Sequence, residues 1–175
     1  MKEYIHGGDI YRHPDVLDYS ANINPLGTPP GVIRAAKDSM ERVCHYPDAC
    51  QEKLKQALAE YEQVPVEWLI CGNGAAELIF ALVQAVKPKR ALVLAPTFAE
   101  YAQALEAVGC EVNREILKKE DGFTLQDGIL DRLQKEDLQM VFLCNPNNPT
   151  GILMDPKLLR KIVTLCEKRQ IYLVV

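Results

Sequence analysis

The pattern of apolar and polar positions changes at Trp68. Upstream, residues 1–27 carry no sustained period and end in Asn22-Ile23-Asn24-Pro25-Leu26-Gly27, which reads as an extended arm closing in a turn. Thr28 is placed to cap a first helix, with Pro29 and Pro30 in its opening turn and Val32, Ile33, Ala36 and Met40 along one face. A second helix is predicted from about 50 to 63, burying Leu54, Ala57, Leu58 and Tyr61 at the i, i+3, i+4, i+7 spacing. From Trp68 onward, short apolar runs alternate with amphipathic stretches. Strands are predicted at 68–71, 90–95, 111–117, 139–144 and 171–175, and helices near 75–87, 98–108, 125–135 and 155–169. Strands alternating with helices of this length imply βαβ units. The fold class is therefore α/β, a three-layer αβα arrangement around a mainly parallel sheet.

Bulk properties narrow the partners. The formal charge of -4, with Lys and Glu interspersed, gives no basic stripe and argues against nucleic acid. The longest apolar runs, such as Ile79-Phe80-Ala81-Leu82-Val83, fall far short of the ~20 residues a membrane helix needs. Met1-Lys2-Glu3-Tyr4 opens a polar stretch without a signal-peptide core, so a cytoplasmic protein is expected. The six cysteines lie singly, with no Cys-x-x-Cys pair, and are read as buried reduced thiols. Cys44-His45 with Cys50 imitates part of a metal site but lacks a fourth ligand and the usual spacing, so no metal is assigned.

Three segments at strand ends are candidates for chemistry. Asn145-Pro146-Asn147-Asn148-Pro149-Thr150-Gly151 follows the apolar run 140–144; its prolines remove donors and fix φ, so it must leave the strand as a rigid loop. Cys71-Gly72-Asn73-Gly74-Ala75-Ala76-Glu77 opens a helix; it is either a phosphate cradle, with free N–H groups in the first turn, or an ordinary glycine turn. In Ala95-Pro96-Thr97-Phe98-Ala99-Glu100-Tyr101, the aromatic at 98 either stacks on a planar ligand or belongs to the core. His6-Gly7-Gly8 and Arg12 in the arm either grip an anion or are simply solvated.

These segments, with Asp18-Tyr19-Ser20-Ala21-Asn22-Ile23-Asn24-Pro25-Leu26-Gly27 and Tyr46-Pro47-Asp48, follow one another in a familiar order. The chain resembles the histidinol-phosphate aminotransferase-like branch of the fold-type I, aspartate-aminotransferase-like pyridoxal-phosphate enzymes, over nearly its whole length. The arm sequence Ser-Ala-Asn-Ile-Asn-Pro-Leu-Gly is closer to the members that decarboxylate O-phospho-L-threonine in cobalamin biosynthesis than to the aminotransferases. The resemblance implies the cofactor pyridoxal 5'-phosphate. Its phosphate would be bound by Asn73, Gly74 and Ala75, its ring stacked on by Phe98, and its ring hydroxyl oxygen met by Asn148. Tyr46 would reach the phosphate of a neighbouring subunit, implying a homodimer, while His6, Gly7 and Asn24 would lie on the arm that closes over a phosphorylated amino acid. The bond before Pro149 is expected to be cis.

The resemblance also implies what these residues lack. A family aspartate for the pyridine nitrogen directly after 171–175, the Schiff-base lysine, a phosphate-binding arginine and a carboxylate-binding arginine all belong further along. No catalytic residue is therefore assigned within this chain, and a catalytically inert fragment is the rival from another class. Residues 1–43 would be the arm and first helix of the substrate-closing segment, and 44–175 the first half of the cofactor-binding large domain. Two later strands would insert between the first and the fourth, so these strands alone would leave a gap of about three spacings, roughly 14 Å at ~4.8 Å each. A chain ending inside an apolar central strand is expected to be the truncated N-terminal half of a longer one.

Overall fold

The computed structural model describes residues 7–175, which separate into two compact units, one running through Glu52 and the other spanning Lys53–Val175. The first unit holds an arm of turns and helix α1 (Pro30–Ser39), followed by a 3-10 turn over Met40–Arg42. The predicted cap falls one residue later than Thr28: the Pro29 carbonyl accepts from Val32 and Ile33 at 3.0 and 3.2 Å, and no side chain caps the helix. Helix α2 (Glu52–Glu62) forms where its period predicted, but it contains no buried residue. Leu54 and Tyr61 are 52% and 82% exposed, correcting the burial expected of that face. Its apolar period set the helix without a surface among the described residues to cover it.

The second unit carries the sheet. Its elements are α3 (Gly74–Val86), β1 (Arg90–Ala95), α4 (Ala99–Ala107), β2 (Glu111–Ile116), α5 (Gly128–Lys135), β3 (Met140–Phe142), α6 (Pro156–Arg169) and β4 (Tyr172–Val174). All strands pair in parallel, in the order β2-β1-β3-β4. Alternation along the strands splits the core in two. Ala91, Val93, Met140 and Phe142 face Ile79 and Val83 of α3 and Tyr101, Ala104 and Leu105 of α4. Leu92, Leu94, Val141 and Leu143 face Ile129 and Leu133 of α5 and Leu158 and Ile162 of α6. Period-2 strands thus bury both faces, as a parallel sheet between two helix layers requires.

No strand forms at 68–71. Val66–Trp68 is a 3-10 turn, Leu69 is extended (φ -103°, ψ 132°), and the segment joins no ladder among the described residues. The gap expected beside the fourth predicted strand is absent as well. That strand, β3, pairs with β1 on one side and β4 on the other, so the sheet is continuous and ends at β4. No helix among the described residues is long and apolar enough to cross a membrane. The cysteines are all unpaired; Cys110 and Cys166 are buried, but Cys44 and Cys50 are exposed, against the expectation of burial.

Candidate functional site

Strand order creates the site. The chain leaves β1 for β2 on one side, then crosses through α5 to place β3 on the other side of β1. Loops leaving the carboxyl ends of β1 and β3 therefore diverge at a topological switch point, where open α/β sheets bind ligands. Phe98 lies on the first loop and Asn145–Gly151 forms the second.

One side chain ties the two loops together. Asn147 is 4% exposed; its amide nitrogen donates to the Pro96 carbonyl at 3.1 Å and to Thr150 Oγ1 at 2.9 Å, while its oxygen accepts from Thr97 Oγ1 at 3.0 Å. Its backbone N–H donates to the Ile152 carbonyl at 2.9 Å, and its carbonyl accepts from Gly151 N–H at 2.6 Å. Asn145 adds a second tie, its Oδ1 accepting from Met154 N–H at 3.0 Å. Every polar atom of Asn147 is thus committed, and a buried amide with that many partners is rigid. The sequence reading singled out Asn148 and not Asn147, Thr97 or Thr150.

Asn148 is half-buried and its side-chain amide meets no hydrogen-bond partner among the described residues. Its backbone N–H donates to Cys144 Sγ at 3.3 Å. The Asn148–Pro149 peptide bond is cis, as expected; Ala95–Pro96 and Asn145–Pro146 are cis as well. Phe98 is half-buried and meets Tyr101 edge-on, with ring centroids 5.5 Å apart at 79°. Tyr101 stacks in turn on Phe142 at 4.7 Å and 22°. Burial, then the neighbouring Cys144 and Glu100, push the Tyr101 hydroxyl up to about 12, so it stays protonated and available as a donor.

Helix α3 packs on the same sheet face as α4 and ends shortly before β1 begins, so its N-terminal turn points toward the rim at which β1 ends. Gly72 fits closely there: a Cβ would come within 2.8 Å of Leu78 Cδ2 and of Glu77 Oε2, so those side-chain ends would have to shift. Gly74 takes φ +81°, which other residues rarely adopt. The Glu77 carboxylate accepts from the Asn73 backbone N–H, and from its side-chain amide at 3.1 Å. The Gly74 N–H turns back to the Gly72 carbonyl at 2.9 Å, while the Ala75 and Ala76 N–H groups that follow it meet no backbone partner outside the helix among the described residues. Glu77 was not foreseen as a member of this turn.

The arm residues lie in the first unit. Gly7 approaches the Ser20 carbonyl so closely that a Cβ would lie 1.9 Å from its oxygen, and Gly8 N–H donates to Ser20 Oγ at 2.8 Å. A cavity of about 470 Å³ opens between Gly7, Ile10, His13 and Ser20. Asp18 bonds the Ser20 hydroxyl and N–H, which lowers its carboxyl below the ordinary range. Asn24 is spent on its own turn, donating to the Gly27 carbonyl at 2.9 Å and accepting from Leu26 N–H at 3.0 Å. Tyr46 is fully exposed, and His6 lies outside the described residues. Among the described residues no group of three His, Cys, Asp or Glu side chains gathers as metal ligands would.

An α/β domain with a switch-point rim, helix-start N–H groups, a half-buried aromatic and an uncommitted amide offers the groups that a flat, anionic ligand needs. The donor set fits pyridoxal phosphate, which needs an anion cradle, an apolar ring face and a polar contact to the ring hydroxyl. Residues 14–175 match the aminotransferase class I and II family, and the chain belongs to that family. It is 46% identical to threonine-phosphate decarboxylase of Salmonella typhimurium, over 97% of this chain and 48% of that protein. It is 37% identical to a histidinol-phosphate aminotransferase of Desulfitobacterium hafniense, over 86% of this chain and 43% of that protein. The histidinol-phosphate aminotransferase structure from Clostridium acetobutylicum superposes with a TM-score of 0.77 at 26% identity, covering 90% of this chain and 46% of that one. The chain spans about half the length of the curated relatives it matches.

Proposed function

We propose that the whole protein is a pyridoxal-phosphate-dependent lyase that converts O-phospho-L-threonine to (R)-1-amino-2-propanol O-2-phosphate in cobalamin biosynthesis. The observation that carries the reading is the Asn147 staple. It binds the β1 and β3 loops into one rim, with Phe98 on one loop and Asn148 on the other. The 46% identity to threonine-phosphate decarboxylase supports the substrate, as does the 34% identity over 169 residues to the adenosylcobalamin biosynthesis protein CobDQ of Leptospira interrogans.

Pyridoxal phosphate, when bound, supplies an electron sink for loss of a substituent from the substrate's Cα. The chain's own residues hold and orient. In this reading the first turn of α3, with Asn73, Gly74 and Ala75, holds the phosphate: the helix dipole favours an anion there, and the phosphate takes the place that the Glu77 carboxylate holds on the Asn73 N–H. Phe98 covers the ring face and excludes water from it. The Asn148 amide donates to the ring hydroxyl oxygen and fixes the ring's rotation. Tyr46 contributes to the site of a second subunit in a homodimer, and His6, Gly7 and Asn24 belong to the arm that closes over the substrate. Residues 1–43 form that closing segment, and 44–175 the first half of the cofactor-binding domain. The Schiff-base lysine comes from outside this chain, in the half that the longer relatives carry.

Aminotransfer is the second reading, favoured by the several histidinol-phosphate aminotransferases at 33–37% identity. The whole protein should release carbon dioxide from phosphothreonine without a keto acid. Keto-acid-dependent turnover of histidinol phosphate with no carbon dioxide would replace the decarboxylase by the aminotransferase.

A further inference from the structure

Asn147 and its neighbour Asn148 are held in opposite ways. Asn147 is fixed by five hydrogen bonds, counting those of its backbone and its side chain. Among the described residues Asn148 is reached by a single one, from its backbone N–H to Cys144 Sγ at 3.3 Å. Asn148 is followed by a proline, which brings no N–H of its own, so the backbone around it has few other ties.

The sulfur is itself engaged. Its thiol donates to the Pro146 carbonyl at 3.3 Å and accepts the Asn148 N–H. Cys144 also packs against the buried aromatic cluster that holds Tyr101 and Phe142. Tyr101 is placed by its stack on the fully buried Phe142 and touches Phe98 edge-on. Phe98 and Cys144 thus pack against one aromatic cluster, and a hydrogen bond leads from Cys144 to Asn148.

We propose that Cys144 is a positioning residue: its thiol latches the Asn148 backbone to the aromatic cluster around Tyr101 and Phe142, so that the ring-facing aromatic and the ring-facing amide are set by one packed core. The inference deepens the cofactor reading and rests on it for the purpose of the latch, though not for the latch itself. Cys144 makes no contact with substrate or cofactor in this account. It acts through Asn148.

The test reads single-amide hydrogen exchange in the protein, with Cys144→Ala and Cys144→Ser compared with the natural residue. Losing one neutral hydrogen bond should speed exchange at Asn148 by roughly three- to tenfold. The Asn147 and Gly151 amides, bonded to Ile152 and Asn147 carbonyls instead, should keep their rates. Serine should restore part of the protection, because its hydroxyl can accept the same N–H from a shorter bond to Cβ. Unchanged exchange at Asn148 in Cys144→Ala would overturn the latch. So would equal acceleration at all three amides, which is what a general packing role predicts. Cofactor affinity is the second readout, falling in Cys144→Ala by about the same factor and recovering in part with serine. A wild-type protein that takes up no pyridoxal phosphate while Asn148 exchange behaves as described would sink the cofactor reading alone.

Discussion

Two adjacent asparagines carry opposite burdens. Replacing Asn147 by alanine leaves the Pro96 carbonyl, Thr97 and Thr150 without their partner inside a buried loop junction. Denaturant unfolding should show a loss of about 1–3 kcal/mol for Asn147→Ala, since buried groups stripped of partners bear their full desolvation cost. Asn148→Ala removes no hydrogen bond of the fold and should stay within about 0.5 kcal/mol of the parent. Equal losses at the two positions would contradict the division between staple and contact. The run 145–151 was legible as a rigid rim loop because its prolines and glycine leave few alternatives. Which amide faces inward was not legible, since that depends on where Pro96 and Thr97 arrive from another strand.

At the level of elements, periodicity performed best where two faces are buried. The sheet strands and the helices of the second unit formed at or within a few residues of their predicted bounds, because alternate residues feed two separate cores. Residues 68–71 failed as a strand for a physical reason: a strand needs a ladder, and an apolar run cannot report whether a neighbour is present. The α2 face failed in the same way, apolar in pattern and exposed in fact. Charges gave little away in the sequence, yet they lock α5 to the sheet. Arg132 spans Glu115 at 2.7 Å and Glu136 at 2.5 Å, and Asn113 donates to Glu136 at 2.8 Å. The bond from Arg132, opposed by burial and assisted by Asn113, holds the Glu136 carboxyl below its ordinary range. Its contribution is therefore full above that range and lost as the pH falls through the lowered value. Glu136→Gln should cost about 1 kcal/mol near neutral pH, and the gap to the parent should close in acid. A gap that persists unchanged in acid would show that packing, not charge, is responsible.

For the molecule as a whole, the family was legible and the completeness of the site was not. Motifs at three strand or helix ends carried the resemblance, because the rim of a parallel sheet concentrates glycine, proline and amide residues at fixed points along the chain. The matched relatives are about twice as long, and the reacting lysine is expected from the half they add. On the proposed reading, what this chain contributes is placement: a glycine turn, an aromatic and an amide set around one switch point. The most direct test is the affinity of the protein for pyridoxal phosphate after Gly72→Ala, Phe98→Ala and Asn148→Ala, each measured by equilibrium titration. Each change should weaken binding by roughly threefold or more, the loss expected for one contact of about 0.5–1.5 kcal/mol. Affinity that stays the same in all three variants would contradict the site.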